Sequence, residues 1–219
     1  MVQLVKVQNF CVSADGFGAG VGQSFERPFG HADPAILVGA WAGATASWPT
    51  RTDLGGSRGL DDYLVRDFSN NIGAEIMGAN KFSPYRGPWT NHANHDWQGW
   101  WGDEPPFHTP VFVMTHHTRP SFTLSDTTFH FVDGSPAEVL EQAREAAQGK
   151  DIRIGGGAMT VRGFLDADLI DTMHVAVSPT VTLGDGSRLW ESPDELLDRY
   201  HCDVVPSPSG VIHHLFWRR

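Results

Sequence analysis

A run of three glycines, Gly155-Gly156-Gly157, constrains this sequence more than any other feature. The run follows an apolar segment, residues 152–154, and opens directly into a predicted helix over residues 158–167. A strand that passes through glycines into a helix directs unpaired backbone N–H groups and the positive helix end toward an anion. Glycines also let a pyrophosphate approach the main chain closely. The arrangement favours a phosphate site, although a tight turn without a ligand explains the glycines alone equally well, and the G-x-G-x-x-G spacing is not met.

The composition is that of a globular chain with excess negative charge. Its 219 residues are enough for one sizeable core, and 40% of them are hydrophobic. A formal net charge of −10 argues against binding to nucleic acid or to an anionic membrane surface. An anionic cofactor would therefore need a local positive site made of backbone N–H groups and a few Arg or Lys side chains.

Cysteine content and hydropathy predict a cytoplasmic protein. Cys11 and Cys202 are too few for a disulfide scaffold or a structural zinc site. No apolar run approaches the ~18 residues of a membrane span, and no signal peptide is expected. We therefore expect a reducing compartment and no membrane partner.

Strand-like and helix-like segments alternate along the chain before strands dominate at its end. Helices are predicted after Asp33-Pro34, after Leu60, after the capping box of residues 135–138, and after the glycine run. Strands are predicted over residues 2–12, 74–77, 111–115, 173–177 and 211–217. This order predicts one α/β domain over residues 1–219, with a mixed, mainly parallel sheet, flanking helices and a C-terminal antiparallel hairpin.

Three strand ends carry residues that suit an anionic ligand, and parallel sheets place ligands at the carboxyl ends of their strands. The first end offers small residues and a lysine, the second a hydroxyl, imidazoles and a guanidinium, and the third the glycine run. Each end alone can be an ordinary loop, so their shared placement is what favours a site. The candidates are Gly78, Ala79, Asn80 and Lys81; Thr115, His116 and Arg119; and Gly155, Gly156, Gly157, Ala158, Met159 and Thr160.

The segment of residues 89–110 leaves other interpretations open. His92, His95, Asp96 and His108 suit a divalent metal, so a metal-assisted hydrolase or lyase is one alternative function. Their H-x-x-H spacing lacks the helical geometry of a zinc protease, and we predict no metal. Tryptophans in the segment suit core packing or a flat aromatic wall for a planar ligand. No G-x-S-x-G motif nominates a serine nucleophile.

Several segments occur in an order that resembles the dihydrofolate reductase superfamily, in the branch of the reductase domain of bacterial riboflavin biosynthesis. Each segment is weak alone, but the ordered set spans nearly the whole chain, which looks most like the stand-alone members of that branch. The resemblance implies the three-layer fold of the superfamily. The matching segments are Ser13-Ala14-Asp15-Gly16-Phe17, Ile76-Met77-Gly78-Ala79-Asn80-Lys81-Phe82, Val111-Phe112-Val113-Met114-Thr115, Ile154-Gly155-Gly156-Gly157-Ala158, and residues 169–175 and 184–189.

The resemblance implies an NADPH-dependent reductase. Gly156 and Gly157 would meet the cofactor pyrophosphate, often through an unusual Gly-Gly peptide conformation. Residues 77–81 would cover the phosphates at a second helix start, and the loop of residues 13–19 would lie over the nicotinamide.

The same resemblance places Thr115, His116 and Arg119 around the adenosine ribose and its 2′-phosphate. Folate enzymes often carry an arginine where this chain has Ala79. A preference for NADPH must then rest on His116, Arg119 or Lys81, and NADH stays an alternative donor.

The expected reaction is hydride transfer to a planar, conjugated C=N or C=O group of a molecule similar to a pterin, a pyrimidine or a flavin precursor. The accompanying proton would come from water, or from Asp33 or Asp15 with a pKa raised by burial. Asp33 is better placed as a helix cap than as a pterin-binding carboxylate, so a folate substrate is not supported. The predicted substrate wall consists of Trp41, Trp89, Trp100 and Trp101.

Relatives of this type suggest a homodimer formed through the C-terminal sheet. A non-enzyme alternative is a small-molecule-binding protein that kept the nucleotide pocket and lost turnover. Nucleotide binding without oxidation would identify that alternative.

Overall fold

The computed structural model describes residues 2–49, 51–91 and 96–219. A π-helical segment covers Ala35–Gly43, and the α-helices are α1 (Leu60–Val65), α2 (Ala79–Phe82), α3 (Pro136–Ala146) and α4 (Ala158–Asp166). Single turns of 3₁₀ helix cover Arg66–Ser69, Trp89–Asn91 and Pro193–Leu196. The strands are β1 (Val5–Ser13), β2 (Phe17–Ala19), β3 (Ile72–Gly78), β4 (Val111–Met114), β5 (Phe122–Leu124), β6 (Thr127–Val132), β7 (Asp151–Gly156), β8 (Thr172–Ser178), β9 (Ser187–Arg188), β10 (Tyr200–Pro206) and β11 (Ile212–Arg218).

The chain divides into two compact units. The first contains residues 1–6 and 71–169, and the second contains residues 7–70 and 170–219. Strand β1 therefore contributes its first residues to one unit and the rest to the other. Among the described residues, no helix combines the length and the apolar character that crossing a membrane requires.

The first unit is built on a mainly parallel sheet. Strand β7 pairs in parallel with the start of β1 and with β3, β3 pairs in parallel with β4, and β4 pairs in parallel with β6. Only β5 runs antiparallel among these strands, on β6. The mixed, mainly parallel sheet predicted from the sequence is confirmed, while β5 and β6 were not predicted.

Helices and aromatic side chains complete the first unit. Helix α3 begins at the predicted capping box, in which the Ser135 hydroxyl accepts from the Glu138 N–H and the Glu138 carboxylate accepts from the Ser135 N–H. Its apolar face buries Val139, Leu140 and Ala143. Next to β4 and β6, an aromatic core cluster contains Phe82, Trp89, Phe107, Phe129 and Phe131.

The second unit ends in antiparallel strands. Strand β10 pairs with β11, and β11 pairs with β8, both antiparallel, so the predicted C-terminal hairpin is confirmed. The helix predicted after Asp33-Pro34 exists as the π-helical segment, and the Asp33 carboxylate accepts a hydrogen bond of 2.8 Å from the Ala35 N–H. Trp41, on that segment, is fully buried in the unit's core.

Candidate functional site

Three strand ends meet at one edge of the first unit's sheet. Gly78, the last residue of β3, pairs with Met114 at the end of β4. On the other side of β3, Met77 pairs with Gly156 at the end of β7. The three groups of candidate residues therefore begin at neighbouring positions, as expected for the carboxyl ends of parallel strands.

The three glycines of the run face different surroundings. A Cβ atom on Gly155 would collide with the Glu75 carboxylate and lie 2.7 Å from Lys81 Nζ. Gly156 has a φ of 106°, in the region that side chains rarely adopt. Gly157 has a φ of −67°, and a Cβ built on it meets no described atom within 4 Å. Of these three positions, Gly157 is the one where neither a described neighbour nor the backbone conformation explains why the residue is glycine.

Helix α4 presents an uncompensated positive end beside Gly157. Gly157 is the N-cap residue, no side chain caps the helix, and the first turn contains no acidic residue. The Gly157 carbonyl accepts from the N–H groups of Thr160 and Val161, at 3.0 and 3.1 Å. The peptide bond between Gly156 and Gly157 is cis, which agrees with the unusual Gly-Gly conformation expected here. These features suit a compact anion.

The end of β3 lies against α4. A Cβ on Gly78 would collide with the Thr160 hydroxyl oxygen and would lie 3.6 Å from the Thr160 Cβ. The absence of a side chain at Gly78 is thus explained by packing between β3 and α4. Ala79 and Asn80 follow in α2, next to this contact.

A buried ion cluster lies beneath the glycine run. Glu75 on β3 and Arg153 on β7 are register partners, are 0% and 2% exposed, and form a salt bridge. Lys81 Nζ donates to Glu75 Oε1 at 3.1 Å and to the Gly155 carbonyl at 2.8 Å. Burial alone would raise the pKa of Glu75, but the two cations hold it below its ordinary value. The Lys81 ammonium, predicted to cover phosphates, thus bonds to the protein itself.

Sequence reasoning missed Glu75 and Arg153. A signal was available, because both are charged residues within strands whose neighbours are apolar. A charged pair in the interior of a parallel sheet is rare unless its members compensate each other.

At the end of β4, the candidates have mixed surroundings. The Thr115 hydroxyl accepts from the His117 N–H at 3.0 Å, and exposed His116 bonds through Nδ1 to Asp133 at 2.9 Å. The Arg119 guanidinium lies 4.4–5.4 Å from four aromatic ring centroids, those of Phe82, Trp89, Phe122 and Phe131. Its Nη2 donates to the Trp97 carbonyl at 2.7 Å. The ring contacts of Arg119 are therefore cation–π interactions within the protein.

The tryptophans that were predicted as a substrate wall pack against the protein. Trp89 is 7% exposed and Trp41, in the second unit, 0%. Trp101 stacks on Phe129 and meets Phe107 edge-on. The indole N–H of Trp100 donates to the Lys81 carbonyl at 2.9 Å, which satisfies an end carbonyl of α2.

The two acidic candidates lie in the second unit. The Asp15 carboxylate accepts from the Ser13 hydroxyl and from the N–H groups of Leu183 and Gly184, at 2.6, 3.1 and 2.7 Å. Burial alone would raise the pKa of Asp15, but these donors lower it below its ordinary value. The expectation of a raised pKa is therefore wrong for Asp15. Asp33 is exposed, and its carboxylate accepts from the Ala35 N–H at the start of the π-helical segment.

Two of the four residues of the alternative metal site, His92 and His95, lie outside the described residues. Asp96 is exposed, and His108 bonds through Nδ1 to Asp126 at 2.8 Å. Within the part of the chain that the structure describes, no group of three or more His, Cys, Asp or Glu side chains could hold a metal ion.

The second unit contains a buried hydrogen-bond chain that sequence reasoning missed. Asp61 Oδ1 lies 2.8 Å from His213 Nε2, His213 Nδ1 lies 2.9 Å from His174 Nε2, and His174 Nδ1 lies 3.0 Å from Asn9 Oδ1. Trp41 meets both imidazole rings edge-on. Burial lowers the pKa of His174 to about 3, and burial also lowers that of His213. Both imidazoles are therefore neutral at pH 7.

Comparisons with known proteins identify the relatives of this chain. The family model of the RibD C-terminal domain matches residues 7–198. No curated protein sequence matches the chain.

Solved structures share the fold at low sequence identity. A protein described as a riboflavin biosynthesis protein from Shewanella sp. PV-4 is 18% identical, with a TM-score of 0.50 over 100% of this chain and 99% of its own. The Acinetobacter baumannii RibD is 15% identical (TM-score 0.51), over 99% of this chain and 58% of its own. A third similar structure is the diaminohydroxyphosphoribosylaminopyrimidine deaminase/5-amino-6-(5-phosphoribosylamino)uracil reductase of Thermotoga maritima. It is 15% identical (TM-score 0.54), over 99% of this chain and 57% of its own. The chain thus spans somewhat more than half the length of the last two.

Proposed function

Because the chain belongs to the RibD C-terminal domain family, we propose that it is a reductase of the riboflavin-pathway type that takes its hydride from NADPH. The family points to an oxidoreductase. We propose the identity of the hydride donor, the class of acceptor and the roles of single residues.

The open space at Gly157 carries the proposal. A Cβ atom at this position would meet no described atom within 4 Å, and the φ of −67° suits any residue. The adjacent helix end has neither an acidic side chain nor a side-chain cap. A group that lies against this backbone is expected to be compact and anionic, and the pyrophosphate of a dinucleotide has both properties.

On this proposal, the backbone at Gly156 and Gly157 and the first turn of α4, Ala158 to Thr160, hold the pyrophosphate. Ala79 and Asn80 approach it from the neighbouring strand end. Thr115 and His116 lie toward the adenosine ribose. His116 is the stronger candidate for the 2′-phosphate, because its side chain is 90% exposed whereas the Arg119 guanidinium lies among aromatic rings.

Bound NADPH would supply the hydride, and the protein would supply alignment and exclusion of water. Asp15 is ionised at neutral pH because its pKa is lowered, so it holds no proton to donate. Asp33 is exposed, and its carboxylate accepts from the Ala35 N–H. Of the three proton sources considered, solvent water agrees best with these surroundings.

The proposal is tested by following the hydride. The protein is incubated with NADPH deuterated at C4 and with 5-amino-6-(5-phosphoribosylamino)uracil, dihydropterins and flavin precursors in turn, and the products are analysed by mass spectrometry. We expect one class of acceptor to gain deuterium, and Gly157→Val to abolish the transfer. Saturable NADPH binding with no deuterium transfer to any acceptor would favour a binding protein without turnover and would contradict the reductase.

We also propose that the protein is a homodimer formed through the C-terminal strands. Strand β10 is the outermost strand in the order β10-β11-β8 of the second unit, and Val204 on it is 56% exposed. Exposed edge strands of this kind are suited to pairing with another chain. Light scattering coupled to gel filtration should give twice the chain mass, and a monomer mass would contradict the proposal.

A further inference from the structure

The junction of β3 and β7 contains an irregularity at the first glycine. Ile76 pairs with Ile154, but the next residue of β3, Met77, pairs with Gly156. Gly155 is therefore the extra residue of a β-bulge, which takes it out of the regular ladder. Bulges of this kind redirect the backbone and occur often beside active sites.

Lys81 supplies a hydrogen bond to this bulge. Its Nζ lies 2.8 Å from the Gly155 carbonyl and 3.1 Å from Glu75 Oε1, so one ammonium joins the bulge to the ion cluster. Glu75 is itself fixed by Arg153 on the neighbouring strand. The ring of Phe107 covers both cations, at 5.8 Å from Lys81 Nζ and 5.9 Å from Arg153 Cζ.

The fit around Gly155 is tight. Any side chain at that position would overlap the Glu75 carboxylate and lie against the Lys81 ammonium. The bulge, the carboxylate and the ammonium therefore occupy fixed places relative to one another. A peptide group is planar, so a fixed Gly155 carbonyl also fixes the direction of the Gly156 N–H, on the opposite side.

We propose that Glu75 and Lys81 are positioning residues for the glycine turn, acting through the Gly155 carbonyl and not through contact with the ligand. This inference rests on the proposed NADPH site. Lys81 holds the carbonyl, Glu75 holds Lys81, and Arg153 holds Glu75. The direction of the Gly156 N–H, and with it the backbone leading to Gly157 and α4, depends on this chain of contacts.

Glu75→Gln distinguishes positioning from simple electrostatics, because the two predict opposite changes in the Kd for NADPH. Removing a negative charge near an anion site strengthens anion binding if charge alone matters. Positioning predicts weaker binding. Lys81 loses its charged partner, and the Gly155 carbonyl therefore loses a donor that is held in place. We expect the Kd for NADPH, measured by quenching of tryptophan fluorescence, to rise about tenfold.

Lys81→Met provides a second variant that should fold, because the Lys81 side chain is 30% exposed. Positioning predicts that Kd for NADPH rises by a similar factor while its dependence on salt concentration stays that of the wild type. A direct contact between Lys81 and phosphate predicts a weaker salt dependence in the variant, because one screened charge pair is lost. The double variant Glu75→Gln/Lys81→Met should bind no more weakly than Lys81→Met alone.

Ser135→Ala is the control for lost stability alone, because it removes a helix cap in the same unit, on a helix that does not contain the glycine turn. It should lower the melting temperature and leave Kd unchanged. Unchanged or tighter binding in Glu75→Gln, wild-type binding in Lys81→Met, or a reduced salt dependence in Lys81→Met would each overturn the positioning role. If the wild type itself does not bind NADPH, it is the proposed function that fails.

Discussion

The three positions of the glycine run have different surroundings, and two of them exclude a side chain for different reasons. At Gly155 the obstacle is the buried carboxylate of Glu75, and at Gly156 it is the backbone conformation. At Gly157 no described atom stands in the way. The sequence predicted a phosphate site from the run as a whole, but it could not assign these separate reasons, because Glu75 is distant in sequence and reaches Gly155 only through the sheet.

Alanine at Gly155 and alanine at Gly157 should therefore differ in their effect on stability. Gly157→Ala is expected to change the free energy of unfolding by less than about 0.5 kcal/mol and to weaken NADPH binding by about tenfold or more. Gly155→Ala should lower the free energy of unfolding by about 2 kcal/mol, because the methyl group overlaps Glu75. Urea denaturation and fluorescence titration measure the two quantities. A Gly157→Ala protein that binds NADPH normally would show that no ligand approaches this backbone.

At the scale of elements, local signals predicted most of the architecture around the site. The helix expected over residues 158–167 is α4, and the capping box and its proline begin α3 as expected. Strands β5 and β6 and the β3–β7 bulge were missed. The bulge depends on how two distant strands register, and nothing in either strand alone encodes that register.

The contact between β3 and α4 can be tested by a double-mutant cycle. Gly78→Ala should lower the free energy of unfolding by about 1 kcal/mol, because its methyl group collides with the Thr160 hydroxyl. Thr160→Ala removes that oxygen, and the remaining Cβ lies 3.6 Å from the new methyl group, an ordinary contact. The double variant should therefore have nearly the same free energy of unfolding as Thr160→Ala alone. Additive losses would mean that the two residues do not meet as described.

For the whole molecule, the ordered set of short segments predicted a family that the match over residues 7–198 confirms. The order of motifs was informative because each marks a strand end or turn of the same fold. The predicted roles of Trp41 and Asp15 depended instead on burial and hydrogen bonding, which the sequence does not reveal. In the structure Trp41 is a core residue and Asp15 a hydrogen-bonded turn residue.

The stability of the protein should fall on mild acidification because of the buried histidines. The pKa of His174 is about 3 in the folded chain, against about 6.5 when unfolded, so the unfolded state binds more protons between these values. The contribution of His174 is therefore fully present above pH ~6.5 and is lost as the pH falls toward about 3. From pH ~7 to ~5 this loss amounts to about 2 kcal/mol.

Urea denaturation at several pH values checks this expectation. His174→Gln should lose less stability than the wild type on acidification, while exposed His201→Gln should follow the wild type. Equal pH dependence in the His174→Gln variant and the wild type would contradict a neutral, buried imidazole at this position.

We propose above all that the glycine turn and the start of α4 bind NADPH. Titration of the purified protein with NADPH and, separately, with NADH, followed by tryptophan quenching and energy transfer to the nicotinamide, tests it most directly. We expect saturation by NADPH at micromolar concentration, and weaker binding by Gly157→Ala without loss of stability. Absence of saturation by either nucleotide up to millimolar concentration would contradict it.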